Sequence, residues 1–194
     1  MNRKGKVLLA ILLAVVAACA SVPADVSVVQ SSNTPAEQHK LIKGYREWTR
    51  VNPVPADLPS PIALLCIAPT VKQREMDAGD PHKDKFITVY VNELGTKAMM
   101  HEMNPSFPKG SVIVKEKLPS QESTSPELLT VMIKREKDYN PENGDWEYMA
   151  LNGDGKEVRA RGKLEKCQAC HVMAKHKDFV HRNYLPDEVR KKLR

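Results

Sequence analysis

The 194-residue chain has no second C-x-x-C pair beside Cys167-Gln168-Ala169-Cys170. A four-cysteine zinc site, which needs a second such pair, is therefore not written in it. The apolar run Val7 to Ala18 is too short to cross a bilayer comfortably, which argues against a membrane span. Asn152-Gly153-Asp154-Gly155 lacks the spaced oxygen ligands and closing glutamate of a calcium loop, and reads as a tight turn. No internal repeat is visible. The excess of one sign of charge is small as well. The formal charge is +6, and residues 1–18 hold three cations and no acids, so the rest carries +3. A mixed, solvated surface follows, with no nucleic-acid partner. The tail Arg190-Lys191-Lys192-Leu193-Arg194 reads as a frayed end, or as a docking point for an acidic partner.

What is present begins at the N-terminus. Arg3, Lys4 and Lys6 precede the apolar run, the pattern of an export signal. Val16-Ala17-Ala18-Cys19 resembles a lipobox, in which Cys19 is lipidated and becomes the first mature residue. Cleavage after Ala20 is the alternative, but it leaves a reactive thiol unexplained. Residues 1–18 thus read as a lipoprotein signal peptide, 19–36 as a flexible tether, and 37–194 as one domain. Ala20 behind the cysteine resembles outer-membrane sorting, on the periplasmic side of the envelope. The membrane is then a partner through the lipid anchor only.

Near the other end, Cys167-Gln168-Ala169-Cys170-His171 is a C-x-x-C-H motif. Two thiols at this spacing add to the two vinyl groups of one porphyrin, and the adjacent histidine is placed to ligate its iron. The expected cofactor is one covalent haem c, with Cys167, Cys170 and His171 holding it. A small structural disulfide and half of a zinc site are the competing readings. Two haem propionates would take the charge from +3 to about +1. Cys66 remains, in the apolar run Ile62 to Ala68, and reads as a buried, inert thiol.

Between the ends, a helix is predicted from Thr34-Pro35, with Leu41, Ile42, Tyr45 and Trp48 on one face. Pro53, Pro55, Pro59 and Pro61 forbid regular structure up to a strand over Ile62–Ala68. Further strands are predicted at Lys85 to Val91, Ser111 to Leu118, Leu128 to Lys134 and Trp146 to Leu151. A hairpin returns through Lys156 to Arg161. Helices are predicted at Glu93 to Met103, around the haem motif, and from Asp187 onward. The fold class is α+β: a mostly antiparallel sheet with flanking helices, and the haem helix near the C-terminus.

Small electron-carrying cytochromes c are almost all helical and carry the haem motif early. Here it comes late, after the strands. That order, with Tyr45-Arg46-Glu47-Trp48, Thr88-Val89-Tyr90, Phe107-Pro108-Lys109-Gly110-Ser111-Val112-Ile113-Val114-Lys115-Glu116, Asn143-Gly144-Asp145-Trp146, Phe179 and Tyr184-Leu185, resembles the cytochrome P-460 family. That family includes the β-sheet cytochromes c′. The resemblance covers about residues 40 to 186.

The resemblance implies one c-type haem, a homodimer and an open distal iron site. It also implies either hydroxylamine oxidation or binding of nitric oxide and similar small ligands. In the hydroxylamine-oxidising members a lysine nitrogen is bonded to a porphyrin meso carbon, and Lys115 falls on that lysine. From the residues alone, Lys115 reads instead as an exposed strand-edge lysine beside Lys117. Ile87 stands where those members carry a pocket arginine, and Thr130 where they carry a distal carboxylate. A pocket of Ile87, Thr130 and Met132 would bind small neutral ligands well and move protons poorly. Glu127 and Glu147 are candidate substitutes for the missing base.

Three functions are therefore expected in turn. The first is an enzyme oxidising hydroxylamine and passing electrons to a soluble cytochrome. The second is a cytochrome c′-like trap for nitric oxide or carbon monoxide without turnover. The third is a plain electron-transfer cytochrome with a sixth protein ligand. For that ligand, Met99, Met100, Met103 and His101 read as core or surface residues, Met173 and His176 are too near His171, and His82 and His181 read as solvated.

Overall fold

Alternation of apolar side chains over six or seven residues builds the centre of this fold. The computed structural model describes residues 40–57 and 85–193. The export signal, Cys19, the tether, the predicted helix start at Thr34-Pro35, the Ile62–Ala68 strand with Cys66, Pro59, Pro61 and His82 lie outside these residues. The described strands are β1 (Thr49–Arg50), β2 (Ala56–Asp57), β3 (Phe86–Val91), β4 (Val112–Leu118), β5 (Leu128–Lys134), β6 (Trp146–Asn152) and β7 (Val158–Gly162). They form one antiparallel sheet in the order β1-β3-β4-β5-β6-β7, and β2 shares the outer edge of β3 with β1. Helices α1 (Glu93–His101), α2 (Glu165–His171) and α3 (Asp187–Lys192) flank it. The architecture is α+β, and α2 carries the C-x-x-C-H motif near the C-terminus.

Each strand sorts its side chains between two cores. On one face Ile87, Val89 and Val91 of β3, Ile113 of β4, Met132 of β5, and Trp146 and Tyr148 of β6 form one cluster. Ala98 and Met99 of α1 cover it, together with Phe179, Val180, Tyr184 and Leu185 from the C-terminal segment. On the other face lie Val112 and Val114, Leu129, Val131 and Ile133, and Met149 and Leu151. Leu41, Ile42, Tyr45 and Trp48 close that second core. Burying one large apolar side chain in either core stabilises by about 1.5–3 kcal/mol.

The structure changes several sequence expectations. Leu41, Ile42, Tyr45 and Trp48 share a face as predicted, but no continuous helix presents them. Helical geometry ends at Leu41, and Gly44 turns left-handed at φ +71° before a 3-10 turn over Tyr45–Glu47. Glycine carries no Cβ penalty there, so the chain changes direction while still delivering all four side chains to one core. Pro53 and Pro55 do not keep pairing away: Ala56 and Asp57 pair with Ile87 and Phe86, on an edge where proline is tolerated. Helix α1 stops at His101, leaving Met103 beyond its end.

The end of α1 is held by a cation from far along the chain. Arg182 donates from Nη1 to the carbonyls of Ala98 (3.1 Å), Met99 (3.2 Å) and Glu102 (2.7 Å), and from Nη2 to that of Met103 (2.9 Å). The last carbonyls of a helix lack intrahelical donors, and a buried guanidinium supplies them here. Replacing Arg182 with methionine is expected to lower stability by about 3 kcal/mol, because buried acceptors lose charge-assisted bonds. Denaturant unfolding measures this, and a loss below about 1 kcal/mol would mean that water replaces the guanidinium there.

Candidate functional site

The motif sits on α2, where spacing selects what faces inward. Leu164 and Cys167 pack against the first core, while Glu165, Lys166 and Ala169 are exposed. Cys167, Cys170, His171 and Ala174 then recur at helical spacing on the buried side. Gln168 ties the helix down. Its amide donates to the Lys163 carbonyl at 2.8 Å, and its oxygen accepts from Asn140 Nδ2 at 3.1 Å.

No disulfide joins Cys167 and Cys170 among the described residues. Among the described residues no three His, Cys, Asp or Glu side chains gather as a metal cluster. Burial pushes the Cys167 thiol up from its ordinary value, with Lys117 pulling it down, Cys170 raising it and Lys115 lowering it.

His171 is set by one hydrogen bond. Its Nδ1 lies 2.7 Å from the Phe179 carbonyl oxygen. A carbonyl can only accept, so Nδ1 carries the proton and Nε2 keeps a free lone pair. Burial, followed by the Lys115 charge, holds this imidazole down to about 3, against the pull of the Phe179 carbonyl. A neutral ring with Nε2 free is the form that ligates iron.

Lys115 is not at a sheet edge. It lies on β4 between Val89 of β3 and Thr130 of β5. Its side chain shares the face of Ile113, toward α2. The ammonium stands 5.6 Å from the Tyr184 ring centroid, a cation–π distance. Burial lowers its pKa from the ordinary lysine value, opposed by Cys170 and then Cys167. The structure therefore brings Lys115 together with all three residues of the motif. Thr130 pairs with Lys115 on one side and Ala150 on the other, so it joins the same face. Ile87 and Met132 line that face too, as the sequence suggested.

The two carboxylates considered as bases are elsewhere. Glu147 neighbours Tyr148 along β6 and so points to the opposite face. There its Oε1 accepts from Arg161 at 2.8 Å and its Oε2 from Arg135 at 3.1 Å. Glu127 is exposed and paired with Lys85 at 2.5 Å. Strands β3 to β7 present no carboxylate on the Lys115 face among the described residues.

His181 is half-buried, not solvated. Its ring packs 5.1 Å from that of His171, and its Nε2 lies 3.3 Å from the Cys170 carbonyl. A haem held by His171 would therefore find His181 beside its proximal ligand. Met99 is core and His101 is exposed, as expected. Sequence reasoning missed Tyr148, whose ring is 5.3 Å from His171. Its alternation with Trp146 was a usable signal.

A haem fits these residues. Tyr148 is 3% exposed, and its hydroxyl has no hydrogen-bond partner among the described residues, although it lies against His171 and feels both thiols. A buried polar atom without a protein partner fits a site completed by a non-protein group. Cys167 and Cys170 would anchor that group, His171 Nε2 would ligate its iron, and the apolar sheet face would take the macrocycle. The family model Cytochrome P460 matches residues 42–182 of the chain. No curated protein matches it.

Proposed function

The chain belongs to the cytochrome P460 family, and from that premise we propose an exported monohaem c protein that oxidises hydroxylamine at an open distal iron site. Lys115 carries the proposal. A lysine on a central strand, facing the thiols of the motif, has its pKa lowered by burial, which favours the neutral, nucleophilic form and would set it against a haem held by those thiols. In this reading its nitrogen is bonded to a porphyrin meso carbon, as in the hydroxylamine-oxidising members of the family. When bound, the haem supplies the iron that holds the small nitrogenous substrate and takes up its electrons, which pass on to a soluble cytochrome. The chain's own part is to anchor through Cys167 and Cys170, to orient His171 from Phe179, and to fix the haem plane through Lys115. A homodimer on the periplasmic side, tethered to the outer membrane through Cys19, completes the proposal.

One observation favours a second reading. With Glu147 on the far face and Glu127 in solvent, no described carboxylate stands on the Lys115 face to take the substrate's protons. A site walled by Ile87, Thr130 and Met132 suits a trap for nitric oxide or carbon monoxide without turnover.

The test uses protein matured with haem in a bacterial periplasm, digested and read by mass spectrometry. The expected species joins the Lys115 peptide to the haem peptide of Cys167 and Cys170. Haem held by the two cysteines alone would remove the cross-link and move gas binding ahead. Absence of covalent haem would sink both readings.

A further inference from the structure

Phe107, Trp146 and Phe179 belong to motifs that the reading above gives no shared task, yet they meet at one place. The carbonyl that orients His171 belongs to Phe179, and it sits in an unusual backbone. Asp178 (φ +52°) and Phe179 (φ +62°) are consecutive left-handed residues, neither of them glycine. Each costs about 1–2 kcal/mol, more readily tolerated by aspartate than by phenylalanine. The conformation ends the 3-10 segment Val172–Lys177 that follows α2, where Phe179 N–H donates to the Ala174 carbonyl at 2.9 Å. Glycine is the usual residue at such a helix end.

What holds this pair is a knot around Asp178. Lys134 Nζ donates to both carboxylate oxygens at 2.7 Å. The Phe107 N–H donates to Oδ2 at 2.8 Å, and Trp146 Nε1 donates to the Asp178 carbonyl at 2.8 Å. Lys134 also stands 5.0 Å over the Trp146 ring, and Phe107 packs edge-on against that ring at 5.5 Å. Gly144 completes the enclosure. A Cβ there would lie 2.6 Å from Phe179 Cδ2 and 3.0 Å from Asp178 Oδ1. The loop at Phe107, the end of β5 at Lys134 and the start of β6 at Trp146 thus converge on two backbone residues that fix a carbonyl on His171 Nδ1.

We propose that Asp178 is a positioning residue for the proximal ligand: clamped by Lys134 and Trp146, it holds the Phe179 carbonyl on His171 and so sets how strongly that histidine donates to iron. The inference rests on His171 being the axial ligand. An acceptor held on Nδ1–H raises the basicity of Nε2, and a more basic axial nitrogen favours ferric over ferrous iron. Releasing the carbonyl therefore raises the reduction potential and weakens the iron–histidine bond. A knot that served only packing would do neither.

The full chain, matured with covalent haem, is compared with Asp178→Ala, Lys134→Met and Lys134→Arg. The readouts are the iron–histidine stretching band of the ferrous protein and the midpoint potential. Asp178→Ala and Lys134→Met are expected to lower the band and raise the potential, the first by more than the second. Lys134→Arg is expected to return both toward the wild-type values. Lys134→Met keeps the alkyl stem in place and carries the test where Asp178→Ala does not fold. Wild-type band and potential in Lys134→Met, with only the melting temperature lowered, would overturn the proposal and leave the haem reading standing. A wild-type protein with covalent haem and no iron–histidine band would instead remove His171 as the ligand, and with it the premise.

Discussion

Lys115→Met is expected to yield a protein that binds haem through Cys167 and Cys170 alone and loses hydroxylamine oxidation. Lys115 occupies a central strand, with Val89 and Thr130 as its cross-strand partners. Methionine matches its length and removes only the nitrogen, so the sheet face and its apolar packing persist. Without the proposed third attachment the macrocycle would be free to shift against the sheet. Displacements of that kind cost roughly 10²-fold in rate. The variant should still bind nitric oxide, because Cys167, Cys170 and His171 are untouched. Mass spectrometry of the haem peptide and turnover with an added oxidant check both halves. Undiminished turnover in the variant would show that the lysine is a bystander.

Thr130→Glu is expected to raise hydroxylamine oxidation by roughly 10²-fold, the lower end of what a positioned general base contributes. Thr130 is half-buried and sits between Lys115 and Ala150 on the site face. Alanine on its far side leaves room for a longer side chain, and no described carboxylate competes for the role. The gain should follow the ionisation of the new carboxylate, rising with pH as it loses its proton. Thr130→Gln has the same shape without the base and should show no gain. An equal gain in both variants would locate the effect in pocket shape. No gain in a folded, haem-loaded Thr130→Glu protein would place the proton acceptor away from this face, or favour the gas-binding reading.

The long, strongly alternating segments were readable from the chain. Leu128–Lys134 is a strand over the residues predicted, and β3, β4 and β6 differ from expectation by a residue at their ends. The face shared by Leu41, Ile42, Tyr45 and Trp48 was readable too, though not the left-handed break at Gly44 inside it. A periodic pattern reports which side chains are buried together, not whether one continuous helix delivers them.

The spacing of Cys167, Cys170 and His171 was legible because it lies within one turn or so of a single helix. Lys115 was only half legible, since a lone lysine in a strand looks the same at an edge and at the centre. The sheet order settles that it is central. His181 and Glu147 were misjudged or left open for a related reason: a side chain's surroundings follow from what packs across from it.

The sequence by itself determined the C-x-x-C-H motif and the alternating strands, both of which are local patterns of spacing. Only the tertiary structure decided that Lys115 faces the motif, that Glu147 turns away from it, and that Lys134 reaches Asp178 across 44 residues to fix the carbonyl on His171. Those are pairings between distant segments. Their geometry is set by strand order and register, which no single stretch of chain contains.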